Sequence, residues 1–378
     1  MPFRPKALRH RRRGSLAEDE SLSLFDRLTT LWIFLAMGVG VALGTALPSL
    51  SGALDALSWN GVSIPIAIGL IWMMYPPLAR VRYEDIPRLA GNRRIMGVSL
   101  FQNWVVGPFL MFGLAWIFLP DLPEYRVGII IVGLARCIAM VLIWNSMARG
   151  HTEYAALLVG LNSIFQMFLY SILAWLFVTL LSGWIGGLTA SEVVPISIVD
   201  VAQTVLVYLG IPVALGFATR AVLVRRRGKA WYERVFMPRL APTAIVGLLF
   251  TIVIMFSLRG GDILRLPLDV LRIALPLVLY FLIMFVVSFG LSRRLGFGYE
   301  ETTTLAFTAA SNNFELAIAT TIGVFGITSG QAFAAVIGPL VEVPVLVSLV
   351  NVALRARSKF PMIKGRPEVG PPADAGAK

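Results

Sequence analysis

The sequence predicts an all-α polytopic membrane protein of ten transmembrane helices, arranged as two five-helix halves of opposite orientation. Three observations predict it. The 378 residues are 57% hydrophobic and only 14% charged, with a mean hydropathy of +0.78, whereas soluble domains run near a quarter charged. Apolar runs recur at about the 20-residue length that a helix needs to cross a bilayer core. Finally, 28 of the 33 Lys and Arg residues fall on alternate segments between those runs, the asymmetry that marks cytoplasmic loops.

In chain order, residues 1–27 read as a basic cytoplasmic tail, in which Arg9, Arg11, Arg12 and Arg13 precede Glu18, Asp19 and Glu20. The first apolar run, about 28–47, is too long for a signal-peptide core and reads as a retained helix. Further runs lie near 62–79, 99–119, 127–148, 153–181, 203–224, 242–258, 270–292, 302–323 and 331–354. Pro76-Pro77 interrupts the second, and the ninth is polar at its middle. Basic residues crowd the N-terminal tail, loops 80–94 and 220–239, Arg149, Arg293 with Arg294, and the tail 355–378. The opposite loops carry only Arg126, Arg259 and Arg265. Both termini are therefore expected in the cytoplasm, which requires an even number of spans. The basic-free stretch 183–202 reads as an external linker between a first repeat, 28–182, and a second, 203–354. Five spans per half invert the second half relative to the first, as in inverted-repeat transporters. The halves share no clear sequence identity, so this repeat rests on topology.

Composition also excludes several functions. The net charge of +12 is accounted for by loop asymmetry, with no aromatic-interleaved groove for nucleic acid. One cysteine rules out an intrachain disulfide and a Cys-rich metal site. The two histidines, His10 and His151, form no metal-ligand pair, and no cofactor is expected.

Ionisable groups at bilayer depth cost about 2.5–3.5 kcal/mol or more each and mark pathways or paired sites. Arg136 and Cys137 fall at the middle of 127–148, Asn312, Asn313 and Glu315 at or just past the middle of 302–323, and Glu342 at the middle of 331–354. The first two of these runs are the fourth of their respective halves, and matched polar breaks are the best pointer to a transporter's binding site. The run Phe307-Thr-Ala-Ala-Ser-Asn-Asn-Phe-Glu315 is poor helix interior. It reads as a broken helix lining a cavity, the alternative being inter-helix hydrogen bonds. Glu342 lies between Pro339 and Pro344, which lack N–H donors and loosen the helix. Either Glu315 or Glu342 could pair with Arg136, but one arginine cannot neutralise both. The other is then free to titrate, which favours proton coupling. Cys137 is either a small core hydrophobe or a soft ligand favoured by the neighbouring cation. Trp144 shares its face if the helix is continuous. Gln102, Asn103, Asn145, Asn162 and Gln166 are further polar residues within these runs, each by itself more simply an inter-helix hydrogen bond.

At these residues the chain resembles a known family, the arsenite efflux permeases of the bile-acid/arsenite/riboflavin transporter superfamily. Gly133-Leu-Ala-Arg136-Cys137-Ile-Ala-Met-Val-Leu-Ile-Trp144-Asn145 is similar to the family's fourth-span signature, and Phe307-Thr-Ala-Ala-Ser-Asn-Asn-Phe-Glu-Leu-Ala-Ile-Ala319 to its ninth. Ala332-Phe-Ala-Ala-Val-Ile-Gly-Pro-Leu-Val-Glu-Val-Pro344 resembles the tenth. Met73-Met-Tyr-Pro-Pro-Leu-Ala79 and Gln102-Asn-Trp-Val-Val-Gly-Pro108 also fit, so the likeness covers about residues 25–357. It implies ten helices with crossed, broken fourth and ninth members. It also implies export of arsenite, sometimes antimonite, across the cell membrane in exchange for protons. The family's cysteine and preceding arginine map to Cys137 and Arg136, and its asparagine and glutamates to Asn313, Glu315 and Glu342. Trp144, Asn162 and Arg220 match further family positions. Ser146 and Ser311 depart from the residues common there.

The expectation is thus a transporter, not an enzyme. Cys137 would be a transient As(III) ligand or site-lining thiol, and Arg136, Trp144, Asn145, Asn162, Asn312 and Asn313 would bind substrate. Glu315 and Glu342 would carry protons, with Arg136 holding one of them ionised. Arsenite is largely an uncharged trihydroxide at neutral pH, so voltage alone cannot expel it and proton exchange supplies the drive. The rivals are a sodium-coupled organic-anion symporter of the same superfamily and an intramembrane hydrolase, the latter disfavoured by the lack of a histidine base or metal box near Cys137 or Glu315. The partners expected are arsenite or antimonite, protons and the lipid bilayer, with no nucleic acid; the sequence assigns no oligomeric state.

Overall fold

The structure, a computed structural model, describes residues 29–47, 49–59, 62–85, 93–185 and 196–360. The basic tail 1–27, residues 186–195 of the linker and residues 361–378 of the C-terminal tail lie outside the described residues.

Each apolar run is helical. In order these are α1 (Thr29–Ala46), α2 (Ile64–Arg80), α3 (Arg93–Phe118), α4 (Pro123–Leu134), α5 (Met140–Met147), α6 (Thr152–Ile185), α7 (Ile198–Arg227), α8 (Lys229–Arg265), α9 (Pro267–Arg294), α10 (Tyr299–Ala310), α11 (Phe314–Phe325) and α12 (Gly330–Ala356). Among the described residues, α3, α6, α7, α8, α9 and α12 are by themselves long and apolar enough to cross a membrane. The result is a polytopic all-α membrane protein. A two-residue antiparallel ribbon, with Ser58 opposite Ser63 and Trp59 opposite Val62, is the only strand pairing the described residues form apart from one bridge at the site.

Several helices run past the apolar windows that predict them, and α8 starts 13 residues earlier than expected. Polar flanking turns continue the backbone ladder after the hydropathy signal has faded. Proline shapes three of these helices. Wide turns at Gln102–Val106, Leu206–Gly210 and Tyr232–Phe236 each end two residues before Pro108, Pro212 or Pro238. A proline supplies no N–H to the preceding turn, and a local widening re-pairs the carbonyls it leaves. Pro76-Pro77, by contrast, lie inside an unbroken α2.

Two packed groups emerge. In one, α8 lies along both α1 and α2, and α7 along α2. Glycine permits the closest approach: a Cβ on Gly44 of α1 would sit 2.2 Å from the Ser257 carbonyl oxygen of α8, as at small-residue helix crossings in lipid. In the other group, α12 packs on α4, α9 and α11, while α9 packs on α10 and α3. The second group contains both interrupted helices.

Candidate functional site

Two of the predicted spans are broken at mid-length. Helix α4 stops at Leu134, Ala135 turns extended, and α5 starts at Met140. Helix α10 stops at Ala310, Ser311 is extended, and α11 starts at Phe314. The two breaks cross and bond through their backbones. The Asn313 amide donates to the Ala135 carbonyl at 3.2 Å, the Cys137 amide to the Ser311 carbonyl at 3.4 Å, and Arg136 bridges Asn312 antiparallel. Four helix ends thus meet at one place, the N-termini of α5 and α11 with their positive dipole ends and the C-termini of α4 and α10 with their negative ones.

Side chains supply the hydrogen bonds that the interrupted ladders lose. Asn312 Nδ2 donates to the carbonyls of Val132 and Ala135 at 2.9 and 3.0 Å, closing the end of α4. Asn313 Oδ1 accepts from the Leu316 amide at 3.0 Å, capping α11, as asparagine does at helix starts. Cys137 Sγ accepts from the Val141 amide at 3.3 Å at the start of α5, and the Arg136 amide donates to Gln166 Oε1 of α6. The density of Ser and Asn in the ninth span is therefore the substitute for its missing helical bonds.

Glu342, buried on α12, faces the crossing. Its Oε1 accepts from the Ser311 hydroxyl at 2.7 Å and the Asn312 amide at 3.2 Å. Arg136 is fully buried but does not pair with either glutamate, which corrects the expected charge pairing. Its guanidinium donates to the Tyr280 hydroxyl at 3.0 Å, to the Ala309 carbonyl at 3.5 Å and to the Gly133 carbonyl. Among the described residues no carboxylate lies within ion-pair distance of it. The physical reason is local: the break frees carbonyls at the ends of α4 and α10, and the guanidinium satisfies them. Glu315 stands in the first turn of α11, half-buried. Several buried polar atoms around the crossing take no protein partner, among them Arg136 Nε, Gln166 Nε2, Asn312 Oδ1 and Asn313 Nδ2.

The crossing therefore brings together Arg136, Cys137, Asn312, Asn313 and Glu342, with Glu315 two residues along the chain from Asn313. Other predicted site residues have separate bonds. Trp144 is fully buried on α5 with its indole N–H unpartnered. Because the helix is interrupted between Cys137 and Trp144, the shared-face argument for the pair does not apply. Asn145 Oδ1 accepts from the Thr304 hydroxyl at 2.8 Å, and Asn162 Oδ1 from the Trp104 indole at 3.2 Å, the inter-helix bonds that are the simpler reading. Arg220 is outside the crossing, toward the end of α7, paired with Glu84 at 2.5 Å. Tyr280 escaped sequence reasoning, being one aromatic in an apolar run. Ser311 was legible as part of the helix-breaking run and as a departure from the family pattern, but not as the partner of Glu342, and Gln166 only as a polar residue among others.

Residues 67–266 match the Sodium Bile acid symporter family. The chain is 49% identical over 338 residues to an arsenical-resistance protein Acr3 of Corynebacterium glutamicum, covering 89% of this chain and 91% of that one. It is 32% identical over 357 residues to an Acr3 of Alkaliphilus metalliredigens, covering 92% and 97%. An uncharacterised transporter of Synechocystis is 35% identical over 362 residues, covering 90% and 91%. The chain belongs to the sodium–bile acid symporter family and, within it, to the arsenite efflux permeases, which are transporters and not enzymes.

Proposed function

We propose that this protein exports arsenite from the cytoplasm in exchange for protons and so confers arsenic resistance, with antimonite as a second cargo. The observation that carries the reading is a buried carboxylate, Glu342, bound to the crossing itself through Ser311 and Asn312 rather than to a cation. An ionised group at that depth without a countercharge is costly, so binding and release of a proton is coupled to the geometry of the break. Arg136 stays fixed by Tyr280 and the helix-end carbonyls. The names of two relatives, both arsenical-resistance proteins, support the cargo.

At the crossing, the unpartnered Asn312 Oδ1 and Asn313 Nδ2 offer an acceptor and a donor to the hydroxyls of an uncharged As(OH)3 molecule. The Cys137 sulfur supplies a soft ligand: an As–S bond forms as an As–OH bond breaks, and the thiol proton leaves with the hydroxide as water. Glu315 and Glu342 carry the exchanged protons. Trp144, Asn145 and Asn162 shape the surroundings through α5 and α6.

Ten spans in two inverted five-helix repeats, 28–182 and 203–354, complete the reading, with both termini in the cytoplasm of a cell-membrane protein. Two matching bonds support the repeat. The start of α4 holds the start of α12, through Glu124 Oε2 and the Gly330 amide at 2.9 Å. In the matching place, the start of α10 holds the residue before α6, through the Glu300 carbonyl and the His151 amide at 3.3 Å. Alternating access then moves the group containing α1, α2, α7 and α8 against the group that holds the crossing.

Expression in an efflux-deleted, arsenite-sensitive strain tests this function. The wild type should restore resistance and lower cellular arsenic, and Glu315→Gln and Glu342→Gln should not. No resistance from a well-expressed wild type refutes the cargo. The second reading, a sodium-coupled symporter, is favoured by the match to a sodium symporter family, and sodium dependence of transport separates the two.

A further inference from the structure

Arg220 is a family-matched residue outside the crossing, and a cleft lies beside it. The cleft, of about 490 Å³, is lined by Tyr83, Glu84, Phe217, Arg220, Ala221, Val224 and Arg225. Phe217, Ala221 and Arg225 follow one another at four-residue spacing, so they form a single stripe along α7. Ala221, the smallest, is exposed at the centre of the stripe. Tyr83 closes the opposite wall, its ring edge-on to Phe217 at 5.4 Å.

Charge and depth in this cleft are ordered. Arg225 lies in the last turn of α7 with Arg226 and Arg227. Phe217 lies eight residues earlier, roughly 12 Å deeper along the helix. Around it, Leu215, Phe217 and Val222 are 44–54% exposed, an apolar surface that faces lipid. The acid in the cleft is already occupied: both Glu84 oxygens accept from Arg220, at 3.1 and 2.5 Å. That bidentate bond holds the Glu84 carboxyl below the usual carboxylate range. Glu233, close by, is shared by Arg82 at 3.2 Å and Arg220 at 3.9 Å. Arg225 is exposed and has no ion-pair partner among the described residues. Three arginines in the final turn outweigh the negative end of the helix dipole.

We propose that this cleft is a binding site for one anionic glycerophospholipid, with the headgroup phosphate on Arg225 and the glycerol and first acyl carbons in the groove over Ala221 and Phe217. The order from cation to apolar groove over that depth matches a phospholipid and not a soluble phosphate, which has no use for the apolar half. The site is independent of the cargo. Anionic leaflets attract juxtamembrane basic residues, and the groove turns that diffuse attraction into a defined position.

The test uses the full-length protein in neutral detergent and its melting midpoint, since a ligand that binds only the folded state raises it. Phosphatidylglycerol, phosphatidylcholine and glycerol phosphate are added separately. Phosphatidylglycerol should raise the midpoint above the level reached with phosphatidylcholine, and glycerol phosphate should leave it unchanged. Arg225→Gln and Ala221→Trp should lose the phosphatidylglycerol shift, whereas Arg226→Gln, with the same loss of charge, should keep it. Equal shifts with both lipids overturn the proposal. So does a shift with glycerol phosphate alone, or an equal loss in Arg225→Gln and Arg226→Gln, which marks diffuse attraction and no site. The arginine pair decides the matter even if Ala221→Trp fails to fold.

Discussion

A single methyl group on α3 tests how tightly Arg136 is held. A Cβ on Gly107 would lie 2.9 Å from Arg136 Nη1, 3.0 Å from the Tyr280 hydroxyl and 3.3 Å from the Gln102 carbonyl. Carbon needs roughly 3.5 Å from such atoms, so Gly107→Ala forces the guanidinium or the phenol to move by about 0.5 Å. The guanidinium has little slack, because it also bonds the Ala309 and Gly133 carbonyls. Loss of its bond to Tyr280, a hydrogen bond to a charged group, costs about 1.5–3 kcal/mol, equivalent to roughly a tenfold to hundredfold change in a rate or binding constant. Gly113 of the same helix is the control, since a Cβ there meets nothing within 4 Å. Arsenite transport into everted membrane vesicles should fall about tenfold or more in Gly107→Ala and stay near wild type in Gly113→Ala, at matched expression and melting midpoint. Equal transport by the two variants refutes the view that Arg136 must be held in this position.

Three further outcomes are expected. Asn312→Ala leaves the Val132 and Ala135 carbonyls without the Asn312 bonds, at about 1–3 kcal/mol for each group left unsatisfied, and should lower the melting midpoint together with transport. Ser311→Ala removes the hydroxyl bond to Glu342 while its amide bond from Asn312 remains; it should shift the pH profile of transport yet leave the midpoint within a few degrees. Glu84 has a carboxyl held low by Arg220, so its stabilising contribution is fully present above the ordinary glutamate value near 4.3 and is lost as pH falls through the lowered one. The stability difference between wild type and Glu84→Gln should therefore be largest at pH 7 and shrink below about pH 4.

Much of this architecture was legible in the sequence, for identifiable reasons. Lipid leaves no partner for stray backbone groups, so apolar runs must be helical, and the helices follow the runs. The breaks were readable in the ninth span, where Ser311, Asn312 and Asn313 are poor helix formers. In the fourth they were marked only by Arg136 and Cys137. What was not legible was pairing. Two glutamates and one arginine at similar depth suggest an ion pair, yet the guanidinium goes to a tyrosine and to carbonyls freed by the breaks. Those acceptors exist only once two helices from distant parts of the chain have crossed. Asn145 and Asn162 show the opposite outcome: polar residues at family-matched positions that bond Thr304 and Trp104 across helices.

The central claim, proton-driven arsenite exchange at the crossing, is tested most directly in sodium-free proteoliposomes containing the purified protein. With the interior made acidic, outward proton flow should drive arsenite inward above its external concentration. A proton ionophore should abolish the accumulation, and Glu342→Gln should not accumulate. Accumulation that requires sodium, or that is undiminished in Glu342→Gln, contradicts the account.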